Sequence, residues 1–363
     1  MNNDYYCIIM AGGVGSRFWP MSRNSRPKQF LDILGTGKTL LQMTYERFVG
    51  ICPKENILIV TSRDHGDLVR EQLPDLLDEQ LLLEPMRKNT APCIAYANYR
   101  IKKRDPEALI VVAPSDHLIL REEEFKQAIL KGLEFVRGRE ALLTLGIKPS
   151  RIETGYGYIQ AANGQVVASD PDFRPVKTFT EKPDYDLAKV FFESGEFYWN
   201  SGLFIWSLKG ILHAFAKYLP EVEHLFSEKE RFIGTGEEGK HIIEIYRNSG
   251  NISIDYGVME KAENVYVLCA EFGWSDLGTW GSLYEYLSKD RNNNLLSGDQ
   301  VMLYDVKGSI IKLPKDKLAV IQGLENYIVI ESDNILLICR KDDEQKIKQF
   351  VNDVRIEKGE QYI

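Results

Sequence analysis

The chain has 363 residues, 44% apolar and 27% charged, which is too long for one ordinary core and predicts a large domain with a smaller companion. A formal charge of -8 excludes the broad basic field of a general nucleic-acid binder but leaves room for a local cationic pocket around a small phosphate. No apolar run is long enough to span a bilayer, and the opening MNNDYYCIIM lacks the basic start of a signal peptide, so neither nucleic acid nor membrane is expected as a partner. The five cysteines (Cys7, Cys52, Cys93, Cys269, Cys339) are scattered and never spaced C-x-x-C, which predicts buried reduced thiols and a cytoplasmic setting.

Along the first 150 residues, short β-branched runs alternate with helical patterns. YYCIIM (5–10) precedes a helix near 39–49, NILIVT (56–61) one near 65–73, LLLE (81–84) one over 90–103, and ALIVVAP (108–114) one over 122–137; ALLTLGI (141–147) closes the series. Strand–helix alternation with apolar strands predicts an α/β fold with a mixed, mostly parallel sheet flanked by helices. In such sheets ligands bind outside the carboxyl ends of the strands. From 151 to about 287, GYGYIQ, RPVKTFTEKP and WNSGLFIW read as strands, 184–193 and 208–225 as helices, and SIDYGVME places Asp255 at a strand end. The polar DRNNNLLSGD (290–299) separates a large domain, 1–289, from a β-rich one, 290–363. In the latter, VMLYDV, GSIIKLP, LAVIQGL, ENYIVIES and NILLICR are short strands at close intervals, followed by a helix near 342–352.

After the first strand comes AGGVGSRFWPMSRNSRPKQF. A dinucleotide fingerprint fails here because Phe18 stands where the third glycine would be, and GTGKT (35–39) fails as a phosphate loop because Asp32 stands at its first glycine. What remains is a glycine loop with Arg17 and Lys28, fit to form an anion nest with two cations around it; the plain alternative is a tight turn with solvated cations. Asp116 in APSDHLI ends an apolar strand, either as a helix cap or as a Mg²⁺ ligand, with Asp276 in GWSDLGTW as the second carboxylate. His117 suits a supporting hydrogen bond rather than a base. FTEKP supplies Glu181 and Lys182, whose plain alternative is an exposed ion pair. WNSGLF and GYGYI offer amide-bearing and glycine-rich edges of the kind that bond sugar hydroxyls. EPMRKNTAP carries Glu84, Arg87, Lys88 and Asn89 before a helix, and Asn89 or Thr90 also suits its N-cap.

These runs, in this order over residues 8–280, closely resemble the sugar nucleotidyltransferases, specifically the bacterial mannose-1-phosphate guanylyltransferases. Departures are Phe18 for a usual Leu, Arg87-Lys88 for a more frequent Gly-Arg, and Gly257 for a usual Ala. Many members continue into a cupin-type isomerase domain; this sequence ends at 363, which predicts a single activity.

The resemblance implies a glycosyltransferase-A-like domain, a small C-terminal β-helix-like domain that often makes a homodimer contact, and the reaction of GTP with mannose 1-phosphate to give GDP-mannose and pyrophosphate. It also implies roles. Gly12, Gly13, Gly15 and Ser16 hold the triphosphate with Arg17 on the β and γ phosphates, and Lys28 stabilises charge at the α-phosphate. Asp116 and Asp276 bind Mg²⁺, with Asp116 also on the nucleotide side, and Glu84, Asn89 and Thr90 lie at the base. Lys182 holds the sugar phosphate, while Gly157, Glu181, Asn200 and Asp255 contact the sugar. Two alternatives stand beside this reading: the same chemistry on another hexose or heptose 1-phosphate or another nucleoside triphosphate, and a non-catalytic sensor of GDP-sugar.

Overall fold

A computed structural model describes residues 2–162 and 172–363. The chain forms two compact units that do not follow chain order: Met1–Gly12 with Gln42–Trp274, and Gly13–Leu41 with Ser275–Ile363.

In the first unit the strands are β1 (Tyr5–Met10), β2 (Ile57–Ser62), β3 (Leu81–Glu84), β4 (Leu109–Pro114), the two-residue β5 (Leu118–Ile119), β6 (Leu142–Ile147), β7 (Tyr158–Ala161), β8 (Phe173–Thr180), β9 (Phe197–Ser207) and β10 (Val265–Cys269). All but β5 join a mixed sheet of order β3-β2-β1-β4-β9-β6-β10-β8-β7. β1 lies parallel between β2 and β4, with Cys7 opposite Ile57 and Val111. Its near-continuous burial explains why YYCIIM is apolar on both faces. β9 runs antiparallel to both β4 and β6, so the parallel half ends there. A register shift between Thr144 and Gly146 bends the β6–β9 pair where Asn200 faces Gly146. A Cβ on Gly146 would come within 2.6 Å of Val267 Cγ2, so only glycine fits that bend without displacing β10. The helix Thr90–Lys102 buries most of its length against this sheet, in one core with Ile8, Val60, Ile110 and Trp206.

Two expectations are corrected here. The helix expected over 208–225 is two, Leu208–Tyr218 and Pro220–Lys229, because Pro220 has no N–H to continue the first and starts the second. Asp255 does not end a strand; Asp255–Met259 is a π-helical turn closed by Glu260 N donating to Asp255 O (2.9 Å). Ile254 and Val258, four apart, are both fully buried, a helical spacing hidden in a β-branched composition.

The second unit contains the glycine loop and the β-rich end of the chain. Leu295–Ser297, Ile310–Lys312 and Tyr327–Ser332 stack in parallel, Val301–Tyr304 pairs in parallel with Ala319–Gln322, and Ile335–Arg340 returns antiparallel. Parallel rungs one above another make a β-helical coil whose small core is Val306, Ile311, Leu313 and Val329. Asn294, fully buried within the Asn-rich stretch, starts the coil by donating to Val306 O (2.9 Å) and accepting from Ser309 N (3.0 Å). The terminal helix is Ile347–Lys358, preceded by a 3₁₀ segment, Lys341–Lys346, so it begins later than expected. All five cysteines are free, four buried and Cys269 half-buried. Among the described residues no helix is long and apolar enough to cross a membrane.

Candidate active site

The glycine loop folds with residues far downstream in its own unit. Gly15 adopts φ +68°, and a Cβ there would strike the Lys28 stem. The carbonyl of Gly13 accepts from Gln29 Nε2 (3.0 Å), and that of Val14 from Ser22 Oγ. A trans peptide sets its N–H opposite its C=O, so the N–H groups of Val14 and Gly15 point the other way. Among the described residues the N–H groups of Gly13, Val14, Gly15 and Ser16 have no protein acceptor. Consecutive amides of this kind form an anion-binding concavity. Ser16 opens a 3₁₀ turn, Ser16–Phe18, that carries Arg17. Lys28 is buried and donates to the main-chain oxygen of Asp276 (2.6 Å), with Phe18 beneath its ammonium. The Asp276 turn is tight: Gly278 N donates to Asp276 Oδ1 (2.8 Å), Leu277 N donates to Ser275 Oγ (3.1 Å), and buried Leu277 is held at φ +45°. A leucine in the left-handed region costs roughly 1–2 kcal/mol and persists where its surroundings fix it.

In the first unit, Gly157 just before β7, Glu181 and Lys182 just after β8, Asn200 in β9 and Asp255 in the π turn come together. Asn200 N donates to Gly157 O (2.8 Å), Asn200 Nδ2 to Asp255 Oδ1 (2.9 Å), and Thr144 Oγ1 to Asn200 Oδ1 (3.1 Å). Lys182, at φ +48°, pairs with Glu181. The other Glu181 oxygen, Oε2, is buried with no hydrogen-bond partner among the described residues, and a Cβ on Gly157 would overlap it. Burial first, then the Glu181 charge, pushes the Asp255 carboxyl up to about 6 against the donors of its own backbone and of Asn200. Burial pulls the Lys182 ammonium down, but the adjacent Glu181 and then Asp255 outweigh it and leave its pKa raised. An acceptor-rich cluster around one ammonium suits a molecule with hydroxyl donors and an anionic group.

The EPMRKNTAP turn is stitched to the stretch of chain leading into Asp255. Ile252 N donates to Lys88 O (3.3 Å), Ala91 N to Ile252 O (3.1 Å) and Ile254 N to Thr90 Oγ1 (2.8 Å). Asn89, at φ +68°, is the helix cap, accepting from Thr90 N (2.9 Å). Glu84 points inward: it is 6% exposed, accepts from Tyr246 OH (3.0 Å) and lies beside Gly12. Burial pushes its carboxyl up to about 7, opposed by the Tyr246 hydroxyl and Arg87. No local sequence signal connects Tyr246 or Thr144 to these motifs; both are ordinary helix or strand residues until folded.

Asp116 follows the end of β4, as expected for the functional edge of the sheet. Next to it, His117 Nδ1 accepts from Trp274 Nε1 (3.1 Å), with the two rings edge to face. Of the two acids expected to bind metal, Asp116 belongs to the first unit and Asp276 to the second. Among the described residues no group of three or more His, Cys, Asp or Glu is arranged around a metal position. Mg²⁺ takes hard oxygen donors, commonly one or two carboxylates completed by phosphate and water, and both aspartates fit that chemistry.

The Nucleotidyl transferase family model matches residues 6–293, and a MannoseP isomerase/GMP-like beta-helix domain matches 299–354. The chain belongs to the nucleotidyl transferase family and is an enzyme of that class. More narrowly, it is 34% identical over 371 residues to Mannose-1-phosphate guanylyltransferase 2 of Escherichia coli O157:H7, covering 98% of this chain and 74% of that protein. It is 35% identical over 353 residues to Mannose-1-phosphate guanylyltransferase RfbM of Salmonella typhimurium, covering 95% and 71%. A solved structure described as mannose-1-phosphate geranyltransferase from Thermus thermophilus superposes with a TM-score of 0.86 at 30% identity, covering 97% of this chain and 99% of that one. The resemblance drawn from the motifs and the fold drawn from it agree with these matches.

Glu84 offers a direct check of the inward geometry. Folding raises its pKa from 4.5 to about 7, so its contribution favours the folded state fully below 4.5 and is lost as pH rises through 7. Glu84→Gln keeps an acceptor for Tyr246 and removes the titration. Denaturant unfolding between pH 4.5 and 8 is expected to show a shallower decline in the variant, the difference growing to on the order of 3 kcal/mol. Equal slopes would return Glu84 to an ordinary, exposed carboxyl.

Proposed function

We propose that the protein transfers GMP from GTP to mannose 1-phosphate, forming GDP-mannose and releasing pyrophosphate. The observation that carries this reading is the run of four N–H groups, Gly13 to Ser16, without a protein acceptor among the described residues, beside Arg17 and Lys28. The names of the relatives, at 34–35% identity over nearly the whole chain, support the choice of base and sugar.

In this reaction an oxygen of the sugar phosphate forms a bond to the α-phosphorus as the bond from that phosphorus to the bridging oxygen breaks, and pyrophosphate leaves with the electron pair. Two anions must meet, so the protein contributes position and positive charge rather than a base. The loop amides and Arg17 hold the β and γ phosphates, and Lys28 stabilises charge gathering at the α-phosphate. Lys182 binds the sugar phosphate. The unpartnered Glu181 oxygen, with Asp255 and Asn200, accepts from sugar hydroxyls, and the Glu84–Thr90 turn receives the base. Asp116 and Asp276 would hold the Mg²⁺ that the family resemblance implies, an ion that would neutralise further charge on the phosphates. The five unpaired cysteines support a cytoplasmic setting.

Pyrophosphate release measured for four nucleoside triphosphates against several sugar 1-phosphates tests the reading. GTP with mannose 1-phosphate is expected to give the highest kcat/KM. A different best pair would reassign the substrates, and no release from any pair would leave only a binding protein.

Lys28→Met keeps the aliphatic stem that packs on Gly15 and Phe18 while removing the ammonium. Its kcat is expected to fall about 10²-fold, comparable to losing one preorganised transition-state donor, while loss of the bond to the Asp276 carbonyl lowers stability by about 1–3 kcal/mol. A near-normal kcat would take Lys28 out of the chemistry.

Asp276→Asn is expected to raise the Mg²⁺ concentration needed for half-maximal rate by about tenfold or more, since a neutral amide is a poorer ligand for a hard cation. An unchanged metal titration would remove Asp276 from the metal's ligands.

A further inference from the structure

The 3₁₀ segment Lys341–Lys346 stands far from the motifs in sequence, yet it contacts Arg17. Gln345 Oε1 accepts from Arg17 Nε at 3.0 Å. Arg17 makes no other hydrogen bond or ion pair among the described residues, so its two terminal nitrogens have no protein acceptor there. Both sides of the contact are pinned. Glu344, next to Gln345, accepts through Oε2 from Gly281 N (2.7 Å) in the first turn of the helix Trp280–Tyr286. On the loop side, Phe18 packs on Trp280 at 4.9 Å between ring centres, and Trp19 Nε1 donates to Tyr362 O (2.7 Å).

We infer that Gln345 is a positioning residue that presents Arg17 to the nucleotide's phosphates. The inference rests on reading Arg17 as a phosphate ligand. A guanidinium binds a phosphate best through two parallel N–H groups, and it can do so only when its plane and rotation are set. Gln345 occupies the inner Nε–H and leaves the outer fork open. It does so with an amide oxygen: a carboxylate in its place would fix the same rotation but cancel the charge that phosphate needs. Arg17 is partly exposed on a turn and has rotamer freedom to lose; Gln345 removes part of that loss before the substrate arrives. The terminal segment therefore acts on the nucleotide through Arg17 without touching it.

Gln345→Ala and Gln345→Met, made singly and combined with Arg17→Ala, form a double-mutant cycle read by steady-state kinetics. In the parent background each Gln345 variant is expected to raise the KM for GTP about 5–10-fold, the scale of one ordinary hydrogen bond lost. The KM for mannose 1-phosphate should stay within about twofold, and thermal unfolding should not move. In the Arg17→Ala background the same changes are expected to add nothing, because their effect passes through the missing guanidinium. Equal increases in both backgrounds, or none in the parent, would overturn the inference while leaving the phosphate role of Arg17 intact. If Arg17→Ala alone leaves the KM for GTP unchanged, the reading beneath it fails instead.

Discussion

A buried ammonium has to find acceptors, and Lys28 finds one on the main chain of Asp276, 248 residues away in sequence. That bond dictates much of the second unit. It requires the Asp276 carbonyl to be turned toward the loop, which is why Leu277 sits at φ +45° and why Ser275 and Gly278 close a tight turn around it. It also requires the Lys28 stem to lie against Gly15, where any side chain would collide, so the left-handed glycine and the buried lysine explain each other. Phe18 on Trp280 and Arg23 on the Ser332 carbonyl (2.8 Å) extend the same attachment. The loop is thus a component of the C-terminal unit rather than a free connection after β1.

The first unit solves a different electrostatic problem, gathering carboxyls with few cations. Glu84 and Asp255 are both raised chiefly by burial, and Asp255 also by its neighbour Glu181. Glu181 gives one oxygen to Lys182, and its other oxygen is unmatched among the described residues. An unpaired buried acceptor is costly, and the proposed ligand would complete it. The strained backbone of Asn89 and Lys182 falls in the same neighbourhood, so the strain collects where ligand contact is proposed.

How much of this was legible depended on whether the cause was local. The strands β1 to β4 and the turn residues after them were readable, because burial on both faces writes an unbroken apolar run and a strand's end fixes where its loop emerges. The π turn at Asp255 was not, since Ile254 and Val258 are β-branched and their fourfold spacing shows only once the core has chosen them. The coil at the C-terminus hid its repeat because Leu295, Ile310 and Ile328 stack at offsets of 15 and 18 residues, with a loop of variable length absorbing the difference. Gln345 carried no signal at all: an exposed glutamine in a charged segment becomes meaningful only through Arg17, which no sequence spacing connects to it.

In the proposed reaction, selectivity for the sugar would follow from which groups are left unsatisfied. The residues assigned to the phosphates would recognise charge, which every sugar 1-phosphate carries. The set of Glu181, Asn200 and Asp255 instead consists of oriented acceptors and one amide, fixed through Thr144, Gly157 and the π turn. A ligand that turns one hydroxyl away leaves a buried oxygen without its donor, and such mismatches discriminate by roughly 10⁴–10⁵ where an apolar pocket manages about 10². Asp255 sharpens this further. Its ionised carboxyl would be an acceptor only, whereas the protonated form that burial favours would offer a donor and blur the same choice. On the proposed assignment the acceptor cluster of the first unit would decide sugar identity, and the cationic loop of the second would set how tightly the phosphates of any substrate are held.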